Sequence, residues 1–199
     1  NKAIGVKMKD GKTFLSKNII SGAGVMTTYN KLIPEKIAEK HQLKQQLQTE
    51  KRSVSHACLH IGLDGSPEDL NLPKTNYWIY PDKIDHDTAI DNYVKDLDAD
   101  FPVVYISFPS AKDPDWSHRY PGKSTIDIIT LVPYEFFESW DGSKWMKRGE
   151  DYTTLKEEIT QRLLEVLYKR IPQAKGKIAH YELSTPLTTK HFINCLLNT

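Results

Sequence analysis

Two cysteines and seven histidines are the side chains of this 199-residue chain with the strongest metal-binding and nucleophilic chemistry. Their spacing favours neither use. Cys58 and Cys195 are too few and too far apart to build a disulfide framework or a zinc cluster. His56 and His60 are four apart, but the residues around them alternate as in a strand. They therefore do not imitate a helical zinc pair, and a metal site is not expected. Cys58 lies in the same strand pattern and reads as a small hydrophobe. His86, between Asp85 and Asp87, reads as part of a solvated loop. No serine stands in a GxSxG elbow, so hydrolase chemistry has no nucleophile.

Two further patterns bear on ligands. Gly22-Ala23-Gly24 follows a strand-like Asn18-Ile19-Ile20-Ser21 and precedes a helix start near Met26 or Thr27. A dinucleotide fingerprint would place its third glycine at position 27, where Thr27 stands. A glycine turn between a strand and a helix is the simpler account. Trp78, Tyr80, Tyr105, Phe108, Tyr134, Phe136 and Phe137 are numerous for one sheet. They are either core, or in part the lining of a pocket for a flat apolar ligand.

The elements that must position these residues are centred on Phe101–Tyr134. Val103–Phe108 and Ser124–Val132 are rich in β-branched and aromatic residues, which predicts two strands of one sheet. Pro109, Pro114 and Pro121-Gly122 make the connection a structured loop. Other strands are expected at His56–Leu63, Tyr77–Tyr80 and Lys177–Leu183. Ala3–Met8 and Thr13–Leu15 flank Asp10-Gly11 as a hairpin, with Asn18–Ser21 as a third strand. Ile37, Ala38, Leu43 and Leu47 recur at helical spacing after Pro34. A helix is expected over Thr88–Leu97, capped by Asp87. The best helix runs from Tyr152 to Ile171, capped by Asp151 and stopped by Pro172. Its apolar stripe is Tyr152, Leu155, Ile159, Leu163, Val166 and Leu167, with Glu158–Arg162 and Glu165–Lys169 as helix pairs.

Hydrophobic residues at 39% and charged residues at 27% predict a soluble globular chain. Lys and Arg number 27 against 26 Asp and Glu, a formal charge of +1, so no global field draws nucleic acid to it. The longest apolar runs are strand-sized, too short to span a bilayer.

The run Asn76-Tyr77-Trp78, then Phe108-Pro109-Ser110-Ala111-Lys112-Asp113-Pro114-Asp115-Trp116, Ser124-Thr125 and Leu131-Val132-Pro133 resembles the retinol saturase family. So do Arg148-Gly149-Glu150-Asp151-Tyr152, Thr154-Leu155-Lys156 and Pro186-Leu187-Thr188. That family lies in the phytoene desaturase and carotenoid isomerase group of FAD-dependent oxidoreductases. The opening hairpin is similar to that group's, and the likeness reaches to about Phe192. The group's N-terminal GxGxxG region has no counterpart here, and 193–199 do not match its Gly-rich, Tyr-Gly-containing return to the flavin.

The resemblance implies an internal segment of such an enzyme. Residues 1–28 would belong to or border the FAD domain, and 29–199 would form the substrate domain. The expected fold is α+β, a mixed and largely antiparallel sheet with helices on one face. Its implied role is the cavity wall for a polyene, retinoid or carotenoid undergoing double-bond reduction, desaturation or isomerisation. Ser21, Gly22, Ala23 and Gly24 would approach the FAD, while Trp78, Tyr80 and Tyr105 would meet the substrate. No catalytic residue is implied, and no FAD is expected to bind this chain by itself. The missing flavin segments are the expected macromolecular partner. A cytoplasmic place is expected, with peripheral membrane contact left open. The alternatives are a non-catalytic module for a hydrophobic ligand and an inert remnant.

Overall fold

The computed structural model describes residues 2–48 and 54–193, which fall into two compact units at that break. Cys195 and the chain end lie outside the described residues.

In the first unit β1 (Gly5–Lys7) and β2 (Thr13–Leu15) pair antiparallel, with Val6 opposite Phe14. Gly11 closes the turn at φ +87°, a left-handed conformation that glycine adopts without steric cost. The expected third strand at Asn18–Ser21 does not form. Ser16 Oγ donates to the Asn18 carbonyl at 2.7 Å, and no described strand lies alongside to complete a ladder. Three short helical pieces follow: α1 (Val25–Thr27), which continues as a π turn over Thr28–Leu32, α2 (Glu35–Lys40) and α3 (Leu43–Gln48). The periodicity of Ile37, Ala38, Leu43 and Leu47 is thus real but interrupted. Gln42 sits at φ +55°, which breaks one helix into two.

The second unit is built on a five-stranded sheet in the order β4-β5-β6-β3-β7, with every neighbouring pair antiparallel. Its strands are β3 (His56–Asp64), β4 (Tyr77–Ile79), β5 (Val104–Ser107), β6 (Lys123–Leu131) and β7 (Ile178–Ser184). With its helices this is the α+β fold expected. Alternation sorts the strands' side chains onto two faces. Leu59, Ile61, Ile106, Ile126 and Ile128 share one face at 0–2% exposure.

The helix α7 (Glu150–Arg170) lies over that face. At one end Tyr181 of β7 donates its hydroxyl to Glu157; at the other, Arg162 and Val166 share a cavity with Ile79 and Val104. Ile159, Leu163 and Leu167 are at most 1% exposed, and each such burial contributes about 1.5–3 kcal/mol. Leu155 and Val166 are only half-buried at the margins of the stripe. The cap is not Asp151 but Gly149, at φ +88°. Glu150 and Asp151 instead place negative charge in the first turn, where the helix dipole favours it. Arg162 does not pair with Glu158. Its guanidinium donates to the carbonyls of Leu97 and Ala99 and lies 4.4 Å from the Phe101 ring centre, where a half-buried cation finds more partners.

The helix α4 (His86–Lys95) is capped by Asp85, whose carboxylate accepts from the Thr88 N–H at 3.0 Å, rather than by Asp87. His86 is therefore the first helical residue and not a loop residue. Between β5 and β6 the proline-rich connection holds two helical turns, α5 (Pro109–Lys112) and α6 (Trp116–Arg119). Pro109 begins the first of them, a position that needs no N–H donor. A 3₁₀ segment over Tyr134–Trp140 and the helix α8 (Pro186–Ile193) complete the unit.

Candidate functional site

The sheet face opposite α7 holds two rows of cross-strand neighbours. One runs Trp78, Tyr105, Ile129, Cys58, Ser184; the next runs Ser107, Asp127, His60, Glu182. Directly opposed residues on neighbouring strands point to the same side. Trp78 and Tyr105 accordingly meet, with ring centres 4.7 Å apart and planes tilted by 59°. Trp78 remains 62% exposed and Tyr105 half-buried, so the pair offers an open, angled aromatic surface. Tyr80 does not join them. It makes an edge contact with His86 at 5.5 Å and lines a cavity of about 450 Å³ with Phe101, Val104 and Arg162.

Beside the aromatic pair, Cys58, His60 and Asp127 converge. His60 Nδ1 lies 2.8 Å from Asp127 Oδ1 and 3.7 Å from Cys58 Sγ. Both neighbours use the same ring nitrogen. A relay from thiol to carboxylate needs the two different nitrogens, so this is not a cysteine nucleophile with its base. Burial, and then the Asp127 charge, push the Cys58 thiol up to about 12, which keeps it protonated at neutral pH. Sequence reasoning put Cys58 and His60 on one side of a strand but left out Asp127. The missing information was the register that sets β6 against β3.

The motif residues of the β5–β6 connection mostly hold the loop together. Ser110 Oγ accepts from the Thr125 N–H at 2.9 Å, Trp116 Nε1 donates to the Lys123 carbonyl at 2.8 Å, and Arg119 pairs with Asp113 and Asp115. Lys112 is different: it donates to Ser107 Oγ at 3.0 Å and to Asn76, bringing a cation to the edge of the open face. The second motif surrounds a cavity of about 570 Å³. There the Arg148 guanidinium lies between the rings of Trp145 and Tyr152, at 5.4 and 5.0 Å.

In the first unit Ser21 to Gly24 form an exposed turn, with Ser21 Oγ 2.6 Å from Thr28 Oγ1. A Cβ built at Gly22 or Gly24 would meet no atom within 4 Å. The backbone there is open to close approach. No helix among the described residues is long and apolar enough to cross a membrane.

No family model matches the chain. It is 36% identical to the all-trans-retinol 13,14-reductase of Homo sapiens over 199 aligned residues, 96% of this chain and 32% of that protein. It is 32% identical to an inactive all-trans-retinol 13,14-reductase of Danio rerio over 93% of this chain and 32% of that protein. It is 26% identical to the chloroplastic prolycopene isomerase of Arabidopsis thaliana over 96% of this chain and 29% of that one. The chain spans about a third of the length of the curated relatives it matches. Sheet, loop and aromatic pair all lie within this shared stretch, over which the chain is similar to all-trans-retinol 13,14-reductases and, more distantly, to prolycopene isomerases.

Proposed function

We propose that this chain supplies the substrate-facing wall of an FAD-dependent oxidoreductase acting on a retinoid- or carotenoid-like polyene. The observation that carries this reading is the Trp78–Tyr105 pair, two tilted rings left open on a sheet whose other face is covered by α7. A conjugated chain gains dispersion and excludes water by lying along such rings. Lys112, tied to Ser107 and Asn76, would fix a polar end group of the ligand at the rim. Ser21, Gly22, Ala23 and Gly24 would border the flavin, their open backbone allowing close approach. When bound, FAD supplies two-electron redox chemistry at a carbon–carbon double bond. The residues of this chain orient the polyene and keep solvent from it.

The test is a titration of the purified chain with all-trans-retinol, read by tryptophan emission, for the wild type, Trp78→Phe and Tyr105→Ala. Quenching that loses most of its amplitude in Trp78→Phe, and weakens about tenfold or more in Tyr105→Ala, is the expected result. Superimposable isotherms for all three proteins would remove the open face from the substrate path.

A further inference from the structure

We propose that Cys58, His60 and Asp127 form a three-ligand site for a divalent transition ion of the zinc class, with one coordination position left open. The inference does not depend on the polyene reading. It starts from strand geometry. Cys58 and His60 are two apart on β3 and so share a face, and Asp127 stands directly opposite His60 on β6. Sulfur, imidazole nitrogen and carboxylate oxygen all lie within 4.8 Å of one another.

The distances can be set against what an ion requires. With zinc bonds of about 2.3 Å to sulfur and 2.0–2.1 Å to nitrogen, tetrahedral angles put those two donors about 3.6 Å apart. Cys58 Sγ and His60 Nδ1 are 3.7 Å apart without any ion. Nitrogen and oxygen ligands require about 3.4 Å. The 2.8 Å contact between His60 and Asp127 is a hydrogen bond that a small rotation of the carboxyl group opens to that length. On coordination the Cys58 thiol proton leaves to solvent, the His60 ring keeps its single proton on Nε2 and frees Nδ1, and three bonds to the ion form.

The donor set also selects the ion. A sulfur and an imidazole exclude magnesium and calcium, which take oxygen ligands, and suit zinc, cobalt or copper. Cys58 forms the floor of the site, while the His60 side chain is 52% exposed and that of Asp127 33%, so an ion has a path in. Glu182 of β7 also faces His60, but Lys156 holds its carboxylate. The fourth position is thus open to water or to a ligand oxygen.

Cobalt(II) is the probe, because a thiolate bond to it gives a charge-transfer band in the near ultraviolet. The expected result is one equivalent bound by the metal-free protein. The band should survive Cys195→Ser, vanish in Cys58→Ser, and require about tenfold or more additional metal in His60→Gln or Asp127→Asn. A second measurement needs no variant: over a long incubation at raised pH, where metal-free Cys58 reacts measurably, zinc should slow its alkylation in the wild type and chelation should restore the metal-free rate. A band unchanged in Cys58→Ser, or no band and no zinc protection, would show that the three side chains form only a hydrogen-bonded cluster and would overturn the proposal.

Discussion

Tyr152 and Thr185 meet hydroxyl to hydroxyl at 2.8 Å, both buried, joining the first turn of α7 to the end of β7. Thr185 also takes its N–H to Thr188 Oγ1 at 3.1 Å, so one hydrogen-bonded knot fixes the helix start, the last strand and α8. In Tyr152→Phe the Thr185 hydroxyl keeps only a long contact to Thr188. The expected loss is about 1–2 kcal/mol in a urea titration, the cost of weakening a buried hydrogen bond. An unchanged midpoint would mean that water takes the place of the phenol.

The stripe of α7 makes a graded prediction. Ile159 is 1% exposed and Val166 only half-buried. Ile159→Ala is expected to cost about 2–5 kcal/mol, as large-to-small core changes do, and Val166→Ala clearly less. Equal losses at the two sites would contradict the placement of the helix on the sheet.

The ion pair between Lys190 Nζ and Asp141 Oδ2, at 2.6 Å, should give stability a bell-shaped pH dependence. The Lys190 hydrogen bond holds the Asp141 carboxyl below its ordinary range. The Asp141 hydrogen bond holds the Lys190 ammonium above its own. A depressed carboxyl contributes fully above its unfolded value and loses that contribution as pH falls through the folded one. A raised ammonium contributes fully below its unfolded value and loses that contribution as pH rises through the folded one. The stability difference between wild type and Lys190→Met should therefore be flat around neutrality and shrink at both extremes. A difference independent of pH would show that the pair contributes nothing.

Cys58 should be a slow thiol. With its ionisation at about 12 against an ordinary 9.0, its thiolate fraction at pH 8 is about a thousandfold below that of a free cysteine. Alkylation with chelator present, followed on the Cys58 peptide by mass spectrometry, should be slower by about that factor. It should also accelerate about tenfold per pH unit up to the thiol's own value. A rate like that of an unfolded control would place the sulfur in water.

The purified chain should also leave gel filtration colourless. Thr27 occupies the place of the third glycine in a phosphate-binding turn, so the firm grip on a pyrophosphate is missing from these residues. Flavin absorbance co-eluting with the protein would show that the Ser21–Gly24 turn suffices.

Alternation made the two faces of the sheet legible before any coordinates. Ala57, Leu59, Ile61 and Leu63 fall on the buried side as their spacing requires, and Tyr105 falls on the other. What alternation does not carry is register. Nothing in the order of residues says that Asp127 stops opposite His60, and the three-residue cluster was invisible for that reason. Caps failed by small offsets, Asp85 for Asp87 and Gly149 for Asp151, because several acceptors cluster at each helix start and loop geometry chooses among them. The strand expected at Asn18–Ser21 failed differently. β-branched composition describes a willing strand, but a strand forms only beside a partner.

The strand order also governs how the second unit can be assembled. β3, the earliest strand, finds neither of its neighbours nearby in sequence: Cys58 pairs with Ile129 on one side and with Ser184 on the other. Both ladders close very long loops, and topologies dominated by such distant pairings fold slowly. During synthesis β3 emerges with both edges bare and waits for β6, then for β7, which follows only after α7 is complete. β4 and β5, joined through α4, close a shorter loop, but their three-residue ladder is too short to stand without β6. The sheet therefore closes last along β7, and a chain shortened before Ile178 would leave β3 as an exposed edge open to pairing with other molecules.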